Sequence, residues 1–510
     1  MGGLFHFHRS SLIMLNTRIL FFLIPLSCLF VLSTTAQRDN AYWFKLYAES
    51  NAALSSRFAI IEWKGTSAYP FKIVRQLNDN TAIVYNEGKI MRQVDNITRV
   101  EPANNAWKLS PSLEKKFPEA SGEFLVAGQD IEALYNIFKN LGPQLVVKEK
   151  NNYVIRIKAA GSFVKDKVLG LDEVIFLDKF IPATTETAII GYDRSFSGIN
   201  TLDYTIPGAD GKGITAGVKE QKMESADLDL YNRVLASSLA ASTVSNHATV
   251  VSSIIGGAGN SFYDGRGIAH GCNFYSSSFD DLFPDNINIL SNNRVSVQNH
   301  SYGTIVQSFY GAEAAAYDAQ LWSDKKILHV FSAGNKGLGA APTGTFANLP
   351  GFANLTGNFK MAKNTISVAA VDNKGNIAAE SSAGPAFDGR LVPQLAALGP
   401  NGTSDAAAMV TGAIAVLQQV YADSNAQQLP DASLIKAVLY NSANDIYTKG
   451  IDFKTGYGLL NCYEAVRAIQ LKNYQEGMFT NTGQLWSKMV NVPVNAAALK
   501  ITLAWTDLAA

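Results

Sequence analysis

The sequence predicts an α/β chain: a doubly wound, mostly parallel sheet, preceded by a ferredoxin-like α+β module and followed by the start of a β-sandwich. Three observations predict it. From about residue 195, short apolar strands (ITAGV, NFYSSSF, RVSVQNH, KILHVFSAGN, TISVAAVD) alternate with helical segments, as in a parallel sheet covered on both faces. Residues 124–180 run strand–helix–strand–strand–helix–strand, the order of a ferredoxin-like module. From residue 471, WSKMVNVPVNAAALKITLAWTDLAA reads as the first strands of a sandwich that some forty residues cannot close, so the chain is expected to stop inside a domain.

At the start, Arg18 precedes an apolar run from Ile19 to Ala36, and Thr34-Thr35-Ala36 before Gln37 suits signal peptidase. Residues 1–36 are expected to be an export signal, with Met14 as an alternative start, and the mature protein to be secreted or held at the cell surface. An uncleaved anchor is the rival reading, although the run is short for a span. Lipidation of Cys28 is weaker, because apolar residues continue past it. No later segment is long and apolar enough to cross a membrane.

Residues 37–185 make up the N-terminal region. FAIIEW and TAIVYN read as short strands. FLVAG is a strand, and DIEALYNIFKNLG carries apolar residues at helical spacing. QLVVKEK and YVIRIKA then alternate around the turn residues Asn151-Asn152. AGSFVKDKVLGL and EVIFLD complete the module as a helix and a strand. The main domain spans 186–470 and ends on GYGLLNCYEAVRAIQ, a glycine turn and a helix.

Lys+Arg and Asp+Glu are both 43 in the 510 residues, so the formal net charge is zero and nothing points to nucleic acid. Cys272 and Cys462 remain once the signal is removed, too few for a disulfide framework. They read as two buried thiols, with a single bridge as the alternative.

In a parallel α/β sheet, reactive groups gather at the carboxyl ends of the strands. Past the signal there are four histidines, His247, His270, His300 and His329. His329 sits mid-strand, where a structural role is the simpler reading, and His270 and His300 sit in turn-like contexts. His247 opens the helix NHATVVSSIIGGAG, with Asn246 as a candidate N-cap. Ser404 follows the glycine-rich turn Gly399-Pro400-Asn401-Gly402-Thr403 and begins a helix that is small-sided and apolar almost all round, hence buried. Its place at a helix N-terminus favours negative charge nearby. Alone, Ser404 could equally be an N-cap and His247 a structural histidine.

Taken together and in order, NHATVVSSIIGG, HVFSAGN and NGTSDAAAMVTG resemble the three blocks of the subtilisin-like serine peptidases. The resemblance covers about residues 195–465 and includes FSGIN, GKGITAGV, GIAHGCNFYS, VQNHSYG, KNTISVAAVD, SSAGPAFDGRLVPQLAALG and GYGLLN. It implies a subtilisin-like fold and a serine endopeptidase acting on proteins or peptides. His247 matches the family's general base, Ser404 its nucleophile, and Asn335 its oxyanion-hole asparagine. Ser301, Tyr302 and Gly303 match the strand that pairs with extended substrate, with Tyr302 suggesting an aromatic wall, and Ala333-Gly334 match another wall of the primary pocket. The resemblance implies that structural calcium is possible, since it is common in the family, but no contiguous calcium loop is legible and no cofactor is certain. The ferredoxin-like module resembles the family's N-terminal propeptide, which implies an internal inhibitor and self-cleavage between about 180 and 195; a permanent accessory domain is the alternative.

The departures from the family pattern are specific. Gly217-Val218-Lys219-Glu220-Gln221 stands where the family has V-I-D-T-G, and counting back from Asp229-Leu230 places Glu220 at the catalytic aspartate. Glutamate can still accept from the imidazole Nδ1–H; the rivals are a surface glutamate in an inactive enzyme, or rescue by Asp227. Ala248 and Val250 replace a glycine and a histidine, and Asp405, Ala408 and Met409 replace methionine, proline and histidine. Glu220 and Asp405 leave open a weak or inactive scaffold that binds peptides or surfaces. An esterase is less well supported, since no G-x-S-x-G elbow is present.

Overall fold

The computed structural model describes residues 57–64, 72–78, 80–86, 96–182, 184–185, 193–479, 484–492 and 494–509. The export signal expected at 1–36, with Cys28, lies outside them.

The first described unit is an antiparallel sheet of β1 (Phe58–Trp63), β2 (Ile73–Asn78), β3 (Thr81–Tyr85) and β4 (Ile97–Pro102), in the order β2-β3-β1-β4. Alternation along β1 sends Phe58 and Ile60 to one face, against Trp107, and Ala59, Ile61 and Trp63 to the other.

The ferredoxin-like module follows as β5 (Ser121–Gly128), α1 (Ile131–Asn140), β6 (Val146–Lys150), β7 (Val154–Ala160), a short helix Gly161–Phe163 continued by a π turn Val164–Val168, and β8 (Val174–Lys179). The sheet order is β6-β7-β5-β8, antiparallel throughout. Asp130 caps α1 by accepting from the Ala133 N–H at 3.0 Å, and Leu134 and Phe138, one turn apart, enter the core. Asn151 makes the hairpin turn, its Oδ1 accepting from the Tyr153 and Val154 N–H groups at 2.8 and 2.9 Å. A two-residue strand, β9 (Thr184–Thr185), comes next.

The main domain contains β10 (Thr215–Lys219), α2 (Asn246–Gly256), β11 (Asn273–Ser277), β12 (Val295–His300), β13 (Tyr302–Gly303), α3 (Ala312–Ser323), β14 (Leu328–Ser332), β15 (Ile366–Val371), β16 (Leu395–Leu398), α4 (Thr403–Ser424), α5 (Ala432–Ser442) and α6 (Cys462–Gln470). Six strands form one parallel sheet in the order β11-β10-β12-β14-β15-β16. The chain leaves β10 to build β11 on one side, then crosses to build β12 on the other. The carboxyl end of β10 is therefore a topological switch point, where open α/β sheets bind their ligands. All five residues of β10 are buried, and a side chain at Gly217 would meet Val295 at 2.9 Å, so only glycine lets β12 approach. α4 is buried almost all round because Ala406, Ala407, Ala408 and Gly412 let it cross the sheet closely; a Cβ on Gly412 would lie 2.6 Å from the Ile255 carbonyl of α2. Val218, Val251, Ile254, Val297, Val330, Val368 and Ile414 join these elements into one core.

The outer face of the ferredoxin-like sheet is docked on this domain. Leu125 and Val154 pack with Phe283 and Ala316, and the Tyr153 and Phe283 rings stack at 6.1 Å. Cys272 and Cys462 are buried free thiols, and burial pushes both up to about 12. Two expectations are corrected. The first strands expected from residue 471 are not seen among the described residues after α6, where no pairing partner is recorded. Ser245, not Asn246, is the N-cap of α2. No helix among the described residues is long and apolar enough to cross a membrane.

Candidate active site

Glu220 is the first residue beyond β10, at the switch point. Its N–H donates to the Ser277 carbonyl at 2.8 Å, extending the pairing with β11 by one residue and fixing where the side chain starts. The Glu220 carboxylate is fully buried and its Oε2 lies 3.2 Å from Nδ1 of His247, the second residue of α2. Glu220 thus reaches the imidazole. Asp227, the rival, accepts from the Asp229 N–H within its own loop at 2.9 Å.

Ser404 is the second residue of α4, so the helix presents its N-terminal dipole there. The N-cap is Gly402, at φ +133; Ser404 is not a cap. Ser404 and Ser301 are tied together: the Ser404 carbonyl accepts from Ser301 Oγ at 3.0 Å, and Ser404 Oγ lies 3.4 Å from the Ser301 carbonyl. Asn335 leaves the end of β14 through Gly334, whose φ of +120 excludes a side chain. The Asn335 Oδ1 accepts from Thr403 N–H at 2.9 Å and Thr403 Oγ1 at 2.8 Å. With its oxygen so engaged, the amide nitrogen is turned to Gly402: a Cβ there would sit 2.6 Å from it. The donor therefore stands beside the peptide leading to Ser404.

Tyr302-Gly303 forms a second edge. β13 pairs antiparallel with β9, Tyr302 opposite Thr185 and Gly303 opposite Thr184. The chain's own linker thus lies as an extended strand on the edge next to Ser404. The aromatic-wall expectation for Tyr302 is corrected: its ring is buried in the core with Phe279, Phe331 and Phe359, because an inward-facing ring fills the space under the strand. Ala333 is fully buried as well.

Beneath this edge runs a buried hydrogen-bonded chain that the sequence did not reveal. Tyr302 Oη meets His300 Nδ1 at 2.9 Å, His300 Nε2 meets His329 Nδ1 at 2.9 Å, and His329 Nε2 meets Gln320 Oε1 at 2.8 Å. Gln320 then donates to the Asp285 carbonyl at 2.6 Å, and the Asp285 carboxylate holds Lys219 and Gln298, each at 2.6 Å. Burial drives His329 down to about 3 and His300 well below its ordinary value, so both stay neutral. His270 is tied to Arg266 at 2.9 Å and lowered by burial. Of these histidines, His247 alone forms a close carboxylate pair among the described residues, with Glu220, and its charge also acts on Asp405 of the serine-bearing helix.

Asp405 completes the cluster. It is fully buried, and neither oxygen has a hydrogen bond of ordinary geometry. Burial pushes it up to about 8, against the pull of His247 and Asn401, so it is protonated at neutral pH. No group of three or more metal-ligating side chains occurs among the described residues. Asn299-His300-Ser301 and Asn354-Leu355-Thr356 match the N-x-S/T glycosylation pattern, but both asparagines are fully buried.

The subtilase family model matches residues 218–458. Among solved structures, fervidolysin from Fervidobacterium pennivorans, described as a keratinolytic enzyme related to subtilisin, is 20% identical with a TM-score of 0.52; the match covers 69% of this chain and 62% of that one. The epidermin leader peptide processing serine protease of Staphylococcus aureus is 15% identical, TM-score 0.48, over 68% of this chain and 99% of that one. The prenylagaramide maturation protease PagA is 21% identical, TM-score 0.42, over 53% and 98%. No curated protein matches the chain. The fold is the subtilisin-like α/β fold.

Proposed function

We propose that this chain, whose residues 218–458 match the subtilase family, is a secreted serine endopeptidase with Glu220, His247 and Ser404 as its triad. The observation that carries the reading is β9 on β13: an extended peptide lies on the edge beside Ser404, His247 and Glu220. A strand added to an edge is recognised through its backbone, which suits polypeptide substrates.

In the proposed reaction Ser404 Oγ attacks the scissile carbonyl while His247 Nε2 takes its proton. Glu220 accepts from Nδ1–H, holds the ring's tautomer and stabilises the imidazolium. The Asn335 amide and the Ser404 N–H donate to the oxyanion as it forms. The imidazolium returns its proton to the leaving amine, and water repeats the sequence on the acyl-enzyme. The N-terminal region acts as an internal inhibitor, and the chain cuts itself between about 180 and 195, a stretch partly outside the described residues.

The test is casein hydrolysis by wild type, Ser404→Ala and Glu220→Ala, with the mass of each secreted product. Wild type is expected to hydrolyse casein and to shed its N-terminal region, Ser404→Ala to do neither, and Glu220→Ala to fall by about 10⁴-fold, the scale for losing a triad carboxylate. A folded wild type that neither cleaves casein nor reacts with a fluorophosphonate at Ser404 would leave a peptide-binding scaffold instead.

A further inference from the structure

Between the ferredoxin-like module and the main domain, two fully buried carboxyls come from opposite sides of one interface. Asp178 is on β8, opposite Leu125 of β5 in the sheet register, so the two share a face. Leu125 packs on Phe283 and Ala316 of the main domain, with Phe180 and Ala312 in the same cluster. The face that carries Asp178 is thus the docked face. Glu313 is in the first turn of α3, next to Ala312 and one turn before Ala316.

Asp178 Oδ1 accepts from Ser110 Oγ at 2.5 Å, from Ser112 Oγ at 3.2 Å and from the Lys179 N–H at 2.8 Å, but its Oδ2 has no partner. Glu313 Oε2 has none either. Neither residue forms an ion pair with a described residue. The charges acting on Glu313 are Asp178 across the interface and Asp281 of the main domain, both negative; Asn358 is the side chain that eases it. On the same face Glu149 is opposite Arg156 in the β6–β7 register, 2.9 Å from its guanidinium, and meets Asp281 and Asp280, with Lys219 as the further cation. The docked face therefore brings carboxyls from both sides together and leaves an oxygen of Asp178 and of Glu313 unsatisfied.

We propose that docking of the N-terminal module is proton-coupled, with Asp178 and Glu313 as the switch: the module is held at mildly acidic pH and released as the pH rises through neutrality. An unsatisfied buried carboxylate is costly, whereas its protonated form is tolerated. Burial and, for Glu313, the facing Asp178 charge raise Asp178 to about 6 and Glu313 to about 7 while docked. Undocked, both face water and return to ordinary carboxyl behaviour. Groups raised in the docked state favour docking fully below their free values, near 4, and that favour is lost as the pH climbs past the docked values. Affinity should fall by on the order of 100-fold or more between pH 5 and pH 8. The consequence for activity rests on the peptidase reading above; the docking does not.

The test separates the two. The full chain carrying Ser404→Ala, which cannot cut itself, is given an engineered protease site in the linker and nicked by that added protease. Retention of the module is then followed by gel filtration on serial dilution from pH 5 to pH 8. Expected is co-elution at pH 5, dissociation at pH 8, and a Glu313→Gln chain that holds its module at pH 8 several-fold more tightly than the unsubstituted one. Retention that does not depend on pH, or parts that never co-elute, would overturn the proposal whatever Ser404 does. A Glu313→Gln profile identical to that of the unsubstituted chain would remove Glu313 from the switch.

Discussion

The side chain of Glu220 starts from a backbone pinned to β11 at the end of β10. From there its Oε2 lies 3.2 Å from His247 Nδ1. Asp405 is the less expected neighbour. Its ionisation is opposed by burial, so it holds its proton up to about pH 8 in the folded chain but ionises near 3.8 when exposed. With the folded value raised, the stability it favours is complete below the unfolded value and lost as the pH rises to about 8. Asp405→Asn, in a Ser404→Ala chain to prevent autolysis, should therefore gain in melting temperature over its parent as the pH goes from 5 to 8, by a few °C. An unchanged difference across that range would show that Asp405 does not carry a buried proton.

The elements that build the site were legible where they obey a period or a turn rule. β10, β12 and β14 are short apolar runs, α2 and α4 follow cap-like turns, and Glu220, His247, Asn335 and Ser404 each lie just past a strand or at a helix start. What was not legible depends on partners distant in sequence. β2 and β4 are half-exposed and mixed in character, so the four-stranded N-terminal sheet gave no clear alternation. β9 is two residues long and exists only through β13. The residues after α6 alternate like strands but have no sheet to join. At the start of α4 the decisive residue is Gly402. An alanine there would adopt a strained backbone at φ +133 and press its Cβ on the Asn335 amide. On the proposed mechanism, Gly402→Ala should lower kcat on a peptide substrate by about 10–100-fold, the scale of a misplaced catalytic donor, with KM little changed. Wild-type kcat in that variant would mean the oxyanion is held elsewhere.

At the scale of the whole molecule, the described residues of the N-terminal region meet the main domain in two places of different character. One is the docked face, where Phe283 and Ala316 pack on Leu125 and the carboxyls of Asp178 and Glu313 are buried; the other is the two-residue pairing of Thr184–Thr185 on Tyr302–Gly303. So short a strand contributes few backbone bonds, and it stays in place because the docked module carries it there. While the linker is intact, the groove is filled at the high effective concentration of a tethered partner, in the millimolar range for short connections, so even a weak strand occupies it. Once the linker is cut, the same contact becomes bimolecular and answers to mass action. On the proposed reading, severing the chain is then only half of activation: cleaved protein should remain silent when concentrated and gain specific activity on dilution, after a lag set by the dissociation rate and therefore no shorter on further dilution. Specific activity independent of dilution after complete cleavage would show that the tether, not the docked face, restrains the site.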